Sequence, residues 1–330
     1  MPQIQRDLEE INLIRGAALS VGGRTVFSRE FPMGEGWYKF IPRVNITVTI
    51  GTGTGAIAEG ELRFIKNLLL RTDRSEILCD APGRQVYKIA HVKSGSAPRK
   101  DAVAAASATY RVTLPLFFVD DKLMRPEDTI VDTARYNTLT LDVQLGTVAD
   151  LFTTVGTSSV VCTLDVDVLR SKGILPEGAQ PLFFQQLGFV PPVDAASLTT
   201  IDLERSPDLA YKRLFMHASS AGAAGVPWGG ANADDVQDLE SMRDQSNFIV
   251  QERVHEMIQD SNKDDYSLEA VAGAAPIPGL TVFDFVRDGS LRSALMSGDK
   301  SRLQYNWTNK AGVAANDIVT VGYEAIRSLK

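Results

Sequence analysis

The sequence is short of the residues that most often carry chemistry or cross-links. Among 330 residues there are two cysteines, Cys79 and Cys162, and three histidines, His91, His217 and His255. Two cysteines do not make a disulfide framework, so both are expected as reduced residues of strands or core. Three scattered histidines do not make the His-rich cluster of a jelly-roll metalloenzyme. His255-Glu256 opens an H-E-x-x-H pattern, but Gln259 stands where the second histidine belongs, so the zinc pair is missing. No G-x-S-x-G elbow occurs. Basic charge is scarce too: 34 Lys and Arg against 41 Asp and Glu leave a net charge of -7. That argues against specific nucleic-acid binding, because phosphate contact needs a basic surface. No run approaches the roughly 18 apolar residues of a membrane span. The opening MPQIQRDLEEINLI lacks the basic, apolar, small-residue order of a signal peptide. The expectation is a soluble chain made in a cytoplasm, without a cofactor or a catalytic residue. Asn45-Ile-Thr47 and Asn306-Trp-Thr308 fit the glycan acceptor pattern by coincidence on that reading.

What the chain has in quantity is alternation. Val44, Ile46, Val48 and Ile50 alternate with Asn45, Thr47 and Thr49. Tyr110, Val112, Leu114 and Leu116 do the same, as do Leu139 to Leu145 and Cys162 to Val168. Side chains of a strand point to opposite faces, so these segments read as strands with one apolar and one polar face. Many such strands with turn-rich connections predict a β-sandwich or jelly roll. Residues 2–10 read as a short, charged helix. A second helix is expected over Arg84–Lys93, after the Ala81-Pro82-Gly83 breaker, with Val86, Ile89 and Ala90 on one face.

The stretch VNITVTIGTGTGAIA raises a nucleotide question. Gly51, Gly53, Gly55 and Ala56 nearly fit a dinucleotide fingerprint, but a Rossmann first strand is apolar on both faces and this one is not. Gly55 to Gly60 has a P-loop gap, yet Glu61 and Leu62 replace the Lys and Ser/Thr. Gly51–Gly60 is therefore expected as a strand-to-strand turn without a ligand. Acidic pairs at Asp120-Asp121, Asp234-Asp235 and Asp264-Asp265 have the chemistry of calcium ligands, and read first as solvated loop residues. Asp120 and Asp121 stand as the calcium candidates between subunits. The glycine-rich stretch 218–233, with Trp228, reads as a surface or contact loop.

The chain repeats itself. Arg71, Asp73, Ser75, Ile77 and Leu78 fall against Met242, Asp244, Ser246, Phe248 and Ile249, and Val86 and Ile89 against Val254 and Met257. Val119 and Asp121 match Val286 and Asp288, each followed by a long loop, Asp120–Arg135 and Arg287–Arg302. Leu169-Arg170-Ser171 matches Ile326-Arg327-Ser328. The offset drifts from 171 (244 − 73) to 167 (286 − 119) to 157 (327 − 170), as loop-length changes would make it. So long a period means a duplicated domain. The expected division is an N-terminal arm 1–15, a first jelly roll 16–172, a proline-rich crossing 173–195 and a second jelly roll 196–330. The second helix of the repeat is expected over Glu252–Gln259.

LRFIKNLLLRTDRSEIL, RQVYKIAH, FFVDD before a long loop, YNTLTLDVQLG and their second-half counterparts make the chain resemble a known family. It is similar to the double jelly-roll major capsid proteins of tailless icosahedral bacteriophages, of the tectivirus, corticovirus and FLiP-like groups. The resemblance implies an all-β chain of two tandem eight-stranded jelly rolls with short helices. It implies a homotrimer, a pseudo-hexagonal capsomer in an icosahedral virion capsid assembled in the host cytoplasm. Minor capsid and vertex proteins and an internal membrane are the partners implied, and Met1–Arg15 would face inward. Leu123 and Met124 in one long loop and Leu295 and Met296 in the other are expected as trimer contacts, because they are too apolar to be wholly exposed. The alternative reading is a soluble carbohydrate-binding or cupin-like β-sandwich.

Overall fold

The computed structural model describes residues 8–30, 34–52, 55–57, 59–73, 76–172, 181–190, 198–219, 237–244, 248–268, 277, 279–298, 300, 302–309 and 318–327. The chain divides into two compact units, Met1–Lys93 with Ala97–Gln185, and Ser94–Ser96 with Gln186–Lys330.

In the first unit the strands are β1 (Leu8–Leu19), β2 (Arg24–Glu30), β3 (Gly36–Thr49), β4 (Ile65–Thr72), β5 (Ile77–Ala81), β6 (Ala108–Thr113), β7 (Leu116–Phe117), β8 (Val131–Asp132), β9 (Thr138–Leu145) and β10 (Ser159–Ser171). Helices α1 (Gly60–Phe64) and α2 (Gly83–Ser94) flank β4 and β5. One sheet has the order β1-β10-β3-β6, and the other holds β5-β4-β9-β2. The pairing is antiparallel across β1/β10, β10/β3, β3/β6, β4/β9 and β2/β9. The alternation works as expected: Val44, Ile46, Val48, Cys162, Leu164, Val166 and Val168 are buried between the sheets. Their neighbours Asn45, Thr47, Thr163, Asp165 and Asp167 sit on the other, more open face.

In the second unit the elements are β11 (Phe183–Val190, which begins in the first unit), β12 (Leu198–Asp202), β13 (Leu209–Ser219), β14 (Gln237–Asp244), β15 (Phe248–Val254), α3 (His255–Asp265), β16 (Leu280–Asp284), β17 (Leu295–Met296), β18 (Leu303–Asn309) and β19 (Ile318–Arg327). Their orders are β11-β19-β13-β16 and β12-β18-β14-β15. Strand for strand, these repeat β1-β10-β3-β6 and β2-β9-β4-β5. In β1-β10-β3-β6 and β11-β19-β13-β16 the last long strand lies between the first and third strands of its unit, which is the winding of an eight-stranded jelly roll. The fold is therefore two tandem jelly rolls. Ile77 and Phe248, matched in the sequence, begin the equivalent strands β5 and β15.

Several expectations need correction. Leu8, Glu9 and Glu10 are not helical: they open β1, inside the expected N-terminal arm, while residues 1–7 lie outside the described residues. The period of two is hidden there by register shifts between Asn12 and Ile14 and between Ile14 and Ala17. The first strand of the second roll, β11, lies within the expected crossing 173–195. Its proline-free run FFQQLGFV fits a strand, and the prolines stand on either side of it. The second helix begins at His255, so Glu252–Val254 belong to β15. Because β15 outlasts β5, the pairing of Ile89 with Met257 slips by about one helical turn, and Ile89 is buried where Met257 is exposed. The expected continuous strand Tyr110–Leu116 breaks at Pro115 into β6 and β7.

The glycine-rich turn joins β3 to α1. It is packed against its own chain. Gly51 N–H donates to Ser158 Oγ at 3.0 Å, and a Cβ at Gly51 would lie 2.0 Å from Thr157 Oγ1 and 2.6 Å from the Thr157 carbonyl carbon. The close backbone approach that a nucleotide loop needs is present, but the segment approached is residues 157–158. Gly53 lies outside the described residues.

Candidate assembly surfaces

The outer face of β1-β10-β3-β6 is polar and cross-linked strand to strand. Asn12 Nδ2 donates to Asp167 Oδ1 at 2.8 Å, and Arg43 reaches the other Asp167 oxygen at 3.3 Å. Asp165 accepts from Asn45 Nδ2 and from the Gly16 N–H, each at 2.8 Å. Burial alone would raise the Asp165 carboxyl, but those two donors and the charges of Arg43 and Arg15 outweigh it and hold it below the usual carboxylate range. Gly16 takes φ 57° at the bulge, so Asp165 pins the irregular edge strand β1 in place. Between β10, β3 and β6 the face sinks into a hollow of about 760 Å³, lined by Arg43, Arg99, Arg111, Asn45, Asp165 and four threonines.

The second unit carries charge inside. β13 has a bulge between Tyr211 and Arg213, which leaves Lys212 as an extra residue opposite Glu324. Lys212 Nζ and Arg213 Nη1 reach the same Glu324 oxygen at 3.7 and 3.1 Å. Arg213 also faces Asp284 of β16 in register, with Nε donating to Oδ2 at 2.7 Å, and the Tyr266 hydroxyl donates to that oxygen at 2.7 Å. All five side chains are buried. A second buried group centres on Glu240. Its carboxylate accepts from the Thr281 hydroxyl at 2.8 Å and the Tyr305 hydroxyl at 2.7 Å, and lies 2.6 Å from His255 Nδ1. Those residues come from β16, β18 and the start of α3, so one carboxylate ties both sheets and the helix of the second jelly roll. Unsatisfied, such a group would be costly; satisfied, it fixes the packing.

These arrangements hold structure rather than activate a nucleophile. Burial pushes the Cys162 thiol up to about 12 and the Cys79 thiol higher still, which keeps both protonated and unreactive. His91 is on α2, His217 on β13 and His255 at the start of α3. Among the described residues no group of three or more His, Cys, Asp or Glu is placed to hold a metal ion. Asp120 is buried and accepts from the Lys122 N–H at 3.0 Å in a turn, while Asp121 is exposed. Of the four expected contact residues, Leu123 is buried within the chain and Leu295 half-buried, while Met124 is 76% and Met296 42% exposed. Leu295 and Met296 form β17 and pair with Tyr211 and Ala210 of β13. Trp228 and the pair Asp234-Asp235 lie outside the described residues. The arginine hollow is not legible as a whole in the sequence, because its residues come from four separate segments. Its one legible trace is the polar half of each alternating strand.

No protein-family model matches the chain, and no curated protein sequence matches it. Solved structures do. The STIV major capsid protein shares 11% identity at a TM-score of 0.71, over 98% of this chain and 97% of that one. A chain of the Sulfolobus Turreted Icosahedral Virus atomic structure shares 12% at 0.70, over 97% and 91%. The major capsid protein of bacteriophage PM2 shares 10% at 0.62, over 98% of each. At such identities the likeness is one of fold, and it runs end to end through both jelly rolls.

Proposed function

We propose that this chain is a viral major capsid protein that builds a shell by self-association. The observation that carries the reading is the duplicated winding: two jelly rolls of the same strand order in one chain, matching viral capsid proteins over nearly the whole length of each. Three copies would present six jelly rolls, a pseudo-hexagonal capsomer that tiles an icosahedral shell. The role is structural and not enzymatic. In keeping with it, the thiols are protonated, the buried Arg213 is paired with Asp284 and Glu324, and the outer strand face is polar enough for a wet lateral contact.

The finer assignments belong to the same proposal. The virus is a tailless bacteriophage of the tectivirus, corticovirus or FLiP-like kind, with assembly in the host cytoplasm. The partners are copies of the chain, minor capsid or vertex proteins and an internal membrane. Met124 and Met296, being exposed, are the loop residues proposed to meet a neighbour, with Leu123 and Leu295 supporting them from below. Asp120 and Asp121 are read first as loop residues of the chain itself, with a calcium ion between subunits as the alternative for that pair. The change along the chain from the first jelly roll to the second is proposed to fall within residues 173–195, with β11 already part of the second. Light scattering of the purified chain tests the reading: a stable species of three 35.9-kDa chains supports it, and a strict monomer at every concentration overturns it.

A further inference from the structure

We infer that the arginine hollow on the first jelly roll receives the acidic ridge of α3 from a second copy of this chain. The inference rests on the self-assembly reading and names one of its contacts. Arg43 and Arg111 project from β3 and β6, where Arg43 pairs with Thr113 and Asn45 with Arg111. That makes the two arginines diagonal neighbours, roughly 7–8 Å apart. Arg99 joins them where its carbonyl accepts the Thr113 N–H at 3.0 Å. Three guanidiniums therefore border the hollow; Arg43 is taken by Asp167 at 3.3 Å and the lining carboxylate Asp165 is engaged by Asn45 and Gly16, which leaves Arg99 and Arg111 as the charges that face a partner. Among the described residues no carboxylate pairs with the Arg111 guanidinium, and the nearest to Arg99 is Asp101 at 3.8 Å. This is a cationic spot on a chain of net charge -7.

The complement is on the second unit. Glu256, Asp260 and Asp264 stand at i, i+4 and i+8 on α3, all exposed, so they form one ridge about 12 Å long. Met257 stands beside them and is 65% exposed, as is Val161 on the outer face of β10, opposite Thr47 of the hollow. Carboxylates would meet guanidiniums, and an apolar side chain would meet an apolar side chain. The two patches are different surfaces, so the contact is heterologous. Heterologous contacts close into rings such as trimers, which an isologous contact cannot do.

Charge reversal and charge exchange test this on the full chain. The pair Arg99→Glu/Arg111→Glu should weaken association by roughly tenfold or more, the low end of what close interfacial charge pairs contribute. Asp260→Arg/Asp264→Arg should do the same, and the quadruple exchange should recover association. Raising ionic strength should weaken the wild type and leave the reversed variants little changed. Far-UV circular dichroism and melting check that each variant folds, since all four side chains are at the surface. Wild-type chains that associate while either reversal has no effect, or an exchange that recovers nothing, overturn the inference and leave the assembly reading standing. Saturable binding of inorganic phosphate at the arginines without any effect on association overturns it too. A wild-type chain that never associates overturns both.

Discussion

Arg213 and Asp284 face each other in register across β13 and β16, and the guanidinium Nε donates to the carboxylate at 2.7 Å with both side chains buried. Removing one member strands the other in the interior. Arg213→Met should therefore cost about 3–5 kcal/mol of stability, read as a fall in the urea midpoint with unchanged slope.

The same pair sets an acid limb. Burial would raise the Asp284 carboxyl, but Arg213, the Tyr266 hydroxyl and the Val286 N–H outweigh it and hold it below the usual range. A carboxyl lower in the folded chain than in the unfolded one, where Asp is about 3.9, stabilises the fold above that value. The contribution is lost as pH falls through the lower folded value. Asp284→Asn should be less stable than wild type at neutral pH, and the gap in melting temperature should narrow below about pH 4. A gap that widens in acid would contradict the assignment.

Glu240 should be a costly residue to truncate in the second jelly roll. Glu240→Ala leaves the Thr281 and Tyr305 hydroxyls and the His255 imidazole facing an apolar void, a loss of about 3 kcal/mol or more at 1–3 kcal/mol per orphaned group. Glu240→Gln keeps an acceptor oxygen and should lose less. Equal losses in the two variants would mean the hydroxyl bonds are not what the carboxylate contributes.

Gly51→Ala should destabilise without touching any ligand. The new Cβ would meet Thr157 Oγ1 at 2.0 Å, which a rotamer change can relieve, and the Thr157 backbone carbon at 2.6 Å, which it cannot. Overpacking of this kind costs about 1–3 kcal/mol. Thr157→Ala in the same chain should recover only part of the loss in melting temperature.

Strands with one dry and one wet face were legible in the sequence, because Val44 to Thr49 and Cys162 to Val168 keep strict alternation. Strands buried on both faces were not. β13 reads LAYKRLFMHAS, and its Lys212 and Arg213 look like surface residues, yet they are buried against Glu324 and Asp284. Nothing local distinguishes a buried arginine from an exposed one; its partners are 71 and 111 residues away. Bulges erased the period of two in β1, and local charge there mimicked a helix. The repeat survived because it compares the chain with itself, so loop-length drift shifts the register without hiding the order.

In the long loops, Leu295→Asp/Met296→Asp should weaken association while each jelly roll stays folded. Met296 is exposed and Leu295 half-buried on the short strand β17, so the fold loses little. A variant that associates and melts as the wild type does would remove these residues from the interface.

The central claim is that two jelly rolls per chain assemble threefold into capsomers. Electron microscopy of the purified chain tests it most directly. The account predicts class averages with a six-lobed, pseudo-hexagonal outline and threefold symmetry, two lobes to each chain. Isolated two-lobed particles at every concentration and salt would contradict it.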